Sequence, residues 1–255
     1  MKNSRILTLL LLLIIVGCNP TTKQQPKEEN TKSNESSAEV MVQDDWITLF
    51  DGSSLDNWTG WESAEVPGVW SITENGELFC RSLAGDDAKP GEKGYIVSKD
   101  QYGNFHLKLE WKISEGGNSG IFYLADKSLG GLTSSSPEMQ VLDNDKHPDA
   151  KKGKDGNRKA GSLYDLIPAV PQNAKPVGEW NTAEVIVKDR HIIHKQNGEV
   201  VVEVDLDTDA WKELVAGSKF PKVRENWYQV PQRGYLALQD HGDDVWYRNI
   251  MILEL

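Results

Sequence analysis

The sequence predicts an all-β fold, a sandwich or jelly roll of short antiparallel strands, and three observations carry that reading. Residues 105–113 read FHLKLEWKI, nine residues of unbroken period-two alternation. Phe105, Leu107, Leu109, Trp111 and Ile113 share one face, and His106, Lys108, Glu110 and Lys112 the other. Asn197-Gly198 stands between two apolar runs, as a hairpin turn with positive φ at both positions requires. Gly and Asn turn signals recur between short apolar runs, whereas a helix start signal stands out only at 208–216, with Thr208 or Asp209 as N-cap.

In chain order, 46–50 is a short strand ending in Asp51-Gly52, and 69–73 and 77–81 form a hairpin around Glu74-Asn75-Gly76. Residues 116–123 read GGNSGIFY, three glycines ahead of an apolar strand. No Lys-Ser/Thr pair or helix follows, so tight backbone packing accounts for them better than a phosphate loop does. The strand 136–143 places Glu138 and Gln140 on one face and turns Met139 and Val141 into the core. Residues 143–161 are polar and read as a long surface loop. Strands at 180–188, 190–196, 200–204, 234–239 and 245–255 follow, the last two joined by His241-Gly242-Asp243-Asp244.

The first residues stand outside this fold. Lys2 and Arg5 precede an apolar stretch at 6–16 that is short for a membrane span, and Gly17 stands directly before Cys18. Residues 1–17 therefore read as a signal peptide. Ile15-Val16-Gly17-Cys18 resembles the lipobox of bacterial lipoproteins, which implies lipidation at Cys18 and a lipid-anchored place in the cell envelope, periplasmic or at the cell surface. Residues 18–43 are rich in Lys, Glu, Thr, Ser, Asn, Gln and Pro. Such a segment buries too little apolar surface to offset its ordering entropy, and it reads as a disordered tether ahead of one domain, 44–255.

Charge and cysteine content narrow the function. Loss of Lys2 and Arg5 with the signal peptide takes the formal charge from −11 to −13. An acidic domain argues against nucleic acid or an anionic membrane face as partner, leaving the membrane in reach only through the anchor. Cys80 alone remains in the mature domain, so no internal disulfide forms, and it reads as a small buried hydrophobe. Nine tryptophans and seven tyrosines supply a core and suit stacking on sugars. HExxH, GxSxG and paired Cys-x-x-Cys motifs are absent. No cofactor is expected. A divalent metal stays open, with Asp143 and Asp145 as candidate calcium ligands that lack EF-hand spacing.

Several side chains suit acid–base work. Glu138 and Gln140 lie side by side on one strand face. Glu110 lies opposite the apolar face of its own strand, flanked by Lys108 and Lys112. If the two strands are neighbours, two carboxylates share one concave surface, as glycosidic chemistry uses them. Otherwise Glu110 makes a surface ion pair. Gln239 and His241 share a face at a strand end, and imidazole moves protons near neutrality. Arg248 shares a face with Trp246 and Ile250, as a buried partner or an anion or carbonyl binder.

The ordered segments LFDGSSLDNW, WSITENGEL, FHLKLEWKI, GNSGIFYL, EMQVLDND, AGSLYDLI, GEWNTAEVIV, NGEVV and LQDHGDDVWYRNI together resemble the 3-keto-disaccharide hydrolase family over 46–255. The resemblance implies a concanavalin-A-like jelly-roll β-sandwich, related to laminarinase-type glycoside hydrolases, and cleavage of glycosides already oxidised at C3. By motif it carries over Glu138 and Gln140 of E-x-Q, Asp143 just after them, and Glu110 of E-W-[RK]. It also carries over Asn118 of N-S-G, Tyr164 after A-G-[SA]-L, Trp180 and Asn181 of E-W-N, Gln239 and His241 of L-Q-D-H-G, and Arg248 of R-N-I. Laminarinase-type enzymes carry E-x-D-x-E on one strand face, and here Leu142 stands in the third place, which weakens double displacement.

A ketone at C3 acidifies the C2 proton, so β-elimination at C1 followed by hydration gives net hydrolysis. That scheme assigns Glu138, His241 and Glu110 as catalytic candidates, with Gln140, Arg248 or Lys112 at the enolate oxygen. Asp143, Asn118, Tyr164, Trp180, Asn181 and Gln239 are assigned to the oligosaccharide or glycoside substrate. The alternatives are a non-catalytic carbohydrate-binding module and an ordinary glycoside hydrolase on unoxidised glucans. The stretch 206–233 is expected to shape a wall of the cleft.

Overall fold

The computed structural model describes residues 45–83, 89 and 91–255. The signal peptide, Cys18 and the tether lie outside them. The first strands are β1 (Ile47–Phe50), β2 (Trp58–Gly60), β3 (Trp70–Ile72), β4 (Leu78–Cys80), β5 (Ile96–Tyr102) and β6 (Phe105–Ile113). They are followed by β7 (Asn118–Ala125), β8 (Glu138–Leu142), β9 (Asn181–Lys188), β10 (His191–Gln196), β11 (Glu199–Asp205), β12 (Gly234–Leu238) and β13 (Val245–Glu254). Two short helices, α1 (Leu132–Ser135) and α2 (Asp209–Ala216), stand in the connections.

The strands form two antiparallel sheets. The larger runs β11-β10-β9-β6-β13-β4-β3, with β1 also paired to β13, and the smaller runs β2-β5-β12-β7-β8. The predicted alternation of β6 holds over its full length, with its odd-numbered residues all buried. Asn197 and Gly198 both have positive φ (51° and 85°), as the β10–β11 turn demands. The three-residue β2 and the seven-residue β5, whose burial runs in blocks rather than alternating, lie outside the strands expected from sequence.

The core fills the space between the sheets. Trp111, Phe105 and Tyr247 from the larger sheet meet Tyr123, Ile121 and Ile96 from the smaller, all fully buried. Each such side chain stabilises the fold by roughly 1.5–3 kcal/mol through burial. Cys80 is fully buried, and its thiol is pushed up by burial and by nearby acidic groups, as expected of a core residue rather than a nucleophile.

Two connections rise from this frame to border the smaller sheet. Residues 143–161 are not simply a surface loop, because Asp149, Ala150, Asn157 and Ala160 within them are buried. Arg158 explains why: it pairs with Asp149 (3.1 Å) and Asp165 (2.6 Å) and folds the loop back on itself. The stretch 206–233 is held by α2, whose N-cap Thr208 accepts from the Trp211 N–H (3.1 Å). Buried Trp211 and Trp227 anchor it, and Phe220 stacks on Trp227 with centroids 4.0 Å apart.

Candidate active site

The smaller sheet supplies the floor of a cleft of about 490 Å3. Glu138 and Gln140 project into it from β8, while Met139 and Val141 turn into the core, as the period of two requires. Asn118 enters from the first position of β7, which pairs with β8 so that Gly120 lies opposite Gln140 and Phe122 opposite Glu138. A Cβ on Gly120 would collide with the Glu138 carboxylate, so the glycine of GGNSGIFY makes room for that side chain. Tyr95, Gln239 and His241 complete the floor and one rim.

The two long connections supply the walls. His147, Asp149 and Lys152 come from 143–161, Tyr164 from just beyond it, and Lys219 from 206–233. Lys219 Nζ donates to the Tyr164 hydroxyl (3.0 Å), which donates to Asp149 Oδ2 (2.7 Å). Lys219 also lies 4.2 Å from the centroid of the Tyr164 ring.

The electrostatics single out Glu138. Its carboxylate accepts no hydrogen bond from the described residues. Burial pushes its pKa up to about 8, with the Lys219 charge pulling downward and Asp149 upward. Burial and the Arg158 charge lower the Lys219 ammonium below the usual lysine range. Asp149 differs: burial alone would raise it, but Tyr164 and Arg158 hold it below the usual carboxylate range. His147 is lowered by burial and by neighbouring His241, which favours the neutral imidazole. One carboxyl thus exchanges its proton near neutrality while its neighbour stays ionised and engaged, a separation that marks functional sites.

Of the residues expected from sequence, the cleft gathers Glu138, His241, Gln140, Asn118, Tyr164 and Gln239. It does not gather Glu110. Because β6 and β8 belong to different sheets, the shared carboxylate surface does not form. Glu110 lies on the outer face of the larger sheet, where it accepts from Arg248 (2.7 and 3.1 Å) and Asn249 (2.6 Å). These bonds outweigh its burial and keep its pKa low. Lys112 and Arg248, expected near an enolate oxygen, are on that same outer face. Lys112 pairs with Glu77 (3.4 Å) and sits between Trp180 and Trp246, and Arg248 covers the Trp180 ring at 4.0 Å.

Asp143 and Asn181 serve the backbone instead. Burial would raise Asp143, but the N–H groups of Gly116 (2.6 Å), Asp145 (3.0 Å) and Lys146 (3.2 Å) hold it low. Asn181 Oδ1 accepts from the Lys175 N–H (2.7 Å) and Asn197 Nδ2 (2.9 Å).

Sequence reading missed Lys219, Asp149, His147, Tyr95 and Thr133 in the cleft. All lie in connections without strand periodicity. The one available signal was the length of 206–233, which is the stretch that brings in Lys219.

A jelly roll with one poised buried carboxyl, amide and ammonium donors beside it and a cleft of sugar dimensions is the architecture of a carbohydrate hydrolase. The chain is 41% identical to the 3-keto-disaccharide hydrolase of Bacteroides thetaiotaomicron, over 94% of this chain and 93% of that protein. It superposes on the crystal structure of a candidate glycosyl hydrolase from Parabacteroides distasonis with a TM-score of 0.71 and 28% identity, covering 82% of this chain and 94% of the other. A Bacillus subtilis protein with a galectin-like fold is similar in fold alone, with a TM-score of 0.52 and 12% identity over 82% of this chain and 94% of that one. Residues 45–253 match the 3-keto-alpha-glucoside-1,2-lyase-like domain, and the protein belongs to that family.

Proposed function

We propose that this protein is a lipid-anchored envelope enzyme that cleaves 3-keto-glycosides and 3-keto-disaccharides by β-elimination and hydration. Glu138 takes the C2 proton, and the C–H electron pair forms the C2=C3 enolate. The enolate collapses, the C1–O bond breaks, and the leaving oxygen takes up a proton. Water then adds at C1 while C2 regains a proton, so the sum is hydrolysis. Gln140, Gln239 and Lys219 line the cleft around Glu138 as donors for developing negative charge. Tyr164 and Asp149 position Lys219.

The observation that carries this reading is the contrast between the two carboxyl groups of the cleft. Double displacement needs a free carboxylate nucleophile beside the acid. Here Asp149 spends Oδ2 on Tyr164 (2.7 Å) and Oδ1 on Arg158 (3.1 Å), which leaves Glu138 as the one of these two carboxyl groups free to move a proton. A single base suits removal of an acidified C–H.

The test offers the purified protein nitrophenyl β-glucoside and its 3-keto form. Release from the keto form above its spontaneous rate, slowed by deuterium at C2, is expected, with none from the parent. Release from both would overturn elimination in favour of ordinary hydrolysis, and release from neither would favour a binding module. The anchor is tested separately: labelled fatty acid should enter the expressed protein and fail to enter Cys18→Ala.

A further inference from the structure

One rim of the cleft carries His241, a catalytic candidate from the sequence, in a group with two side chains to which the elimination scheme gives no role. His147 comes from the connection after β8, and His241 and Asp243 from the turn between β12 and β13. The two imidazole rings meet edge to face with centroids 5.7 Å apart, and His241 Nδ1 lies 3.4 Å from Asp243 Oδ2. One nitrogen or oxygen from each of the three lies within 4.8 Å of the other two. Donors around a four-coordinate ion with bonds of about 2.1 Å stand about 3.4 Å apart, so small side-chain rotations close this set.

A second, independent observation points to the same place. Asn118 is 5% exposed, and its side-chain oxygen is buried with no hydrogen-bond partner. A buried amide oxygen without a partner costs roughly 1–3 kcal/mol. Asn118 lines the cleft together with His147 and His241, and its backbone N–H donates to Asp243 Oδ2 (3.1 Å). Its backbone therefore orients the Asp243 carboxylate, and its unpartnered Oδ1 belongs to a side chain of the same cleft lining as the two imidazoles.

We propose that His147, His241 and Asp243, with Asn118 beside them, bind one divalent transition-metal ion at the rim of the cleft. Two imidazoles and a carboxylate suit zinc, cobalt or manganese better than calcium or magnesium, which take all-oxygen shells. Three protein ligands leave positions open toward the cleft. His147 Nδ1 accepts the Asp149 N–H at a long 3.2 Å. Coordination through Nε2 moves the ring proton to Nδ1 and releases that one weak bond. The inference deepens the proposed function and rests on it for the ligand: a 3-keto sugar presents its C3 carbonyl and C2 hydroxyl as adjacent oxygens, a natural chelate for the open positions. The ion thereby orients the sugar with its C2 proton toward Glu138 and polarises the ketone.

The test is direct titration of untagged, chelator-treated protein with Zn2+ by calorimetry and with Co2+ by visible absorption, without substrate. One ion per chain is expected, together with a rise in melting temperature. Both are lost in His147→Ala and His241→Ala, weakened at least roughly tenfold in Asp243→Asn, and retained in His191→Ala. His191 is the control because it carries a rival exposed cluster with Asp205 (2.7 Å) and Glu203 (2.9 Å). Circular dichroism checks that each variant is folded. No stoichiometric binding, or binding that survives in both cleft histidine variants, overturns the site. Release from the 3-keto glucoside, measured on the same samples, separates the two readings. Full release without metal and without binding overturns the ion and leaves elimination standing. Binding without release keeps the ion and overturns elimination. Binding with release unchanged by chelator overturns the ion's hold on the substrate.

Discussion

The Glu138 carboxylate lies across the backbone of Gly120 on the neighbouring strand, in the space a Cβ would occupy. Gly120→Ala is therefore expected to displace the carboxylate while costing little stability, because the obstructed atoms are the far end of a flexible side chain. Misplacing a reacting group by about 1 Å reduces turnover on the order of a hundredfold. Turnover of the 3-keto glucoside and a melting curve measured together check this. A large loss of stability with normal turnover of the folded fraction would contradict it.

Glu138 also makes stability depend on pH. Burial raises its folded pKa to about 8, above the ordinary glutamate value of 4.5. Between those values the native state holds a proton that the unfolded chain has released. The contribution is full below about pH 4.5 and is lost as pH rises through about 8, an effect of several kcal/mol. Glu138→Gln should flatten this part of the curve and abolish release from the keto substrate. Urea unfolding at pH 5, 7 and 9 is the measurement. A slope shared by both proteins would place the effect elsewhere.

As a base, Glu138 must be ionised, so kcat/KM should rise with pH toward about 8. The Lys219 charge is what pulls that pKa downward. Lys219→Met should move the rising limb to higher pH and lower the rate most at pH 6 to 7. An unmoved limb in an active variant would separate the two groups.

Glu110→Ala and Arg248→Ala should each leave turnover within about twofold of the parent. Arg248 meets Glu110 through one oxygen, Oε2, and the pair is partly exposed on the outer face, so each substitution should cost roughly 1 kcal/mol or less. A hundredfold loss of activity in either would return the outer face to the chemistry.

The strands themselves were legible. FHLKLEWKI reads as β6 residue for residue, the Asn197-Gly198 turn has the conformation its residues demand, and Thr208 caps α2. E-x-Q also indicated that Glu138 and Gln140 share a face away from the core. The misplaced residues came from one step further. Glu110 and Lys112 were each put on the correct side of their own strand but then joined to the wrong surface, and the face expected for Arg248 with Trp246 and Ile250 breaks at Asn249 (φ 53°), which turns Ile250 into the core.

The physical reason is that alternation is a property of a strand with itself. It records which side chains leave the core, because only every second residue can be buried against the opposite sheet. By itself the sequence thus determined an all-β chain, its turns, and the carboxylate–amide face of β8. Which sheet each strand joins depends on pairing between distant segments, such as β7 with β12 and β6 with β13, and only the tertiary structure decided it. The same holds for Lys219, Asp149 and His147. Irregular connections have no period to read, and they reach the cleft because Arg158 and the Trp211–Trp227 anchor fold them over the smaller sheet.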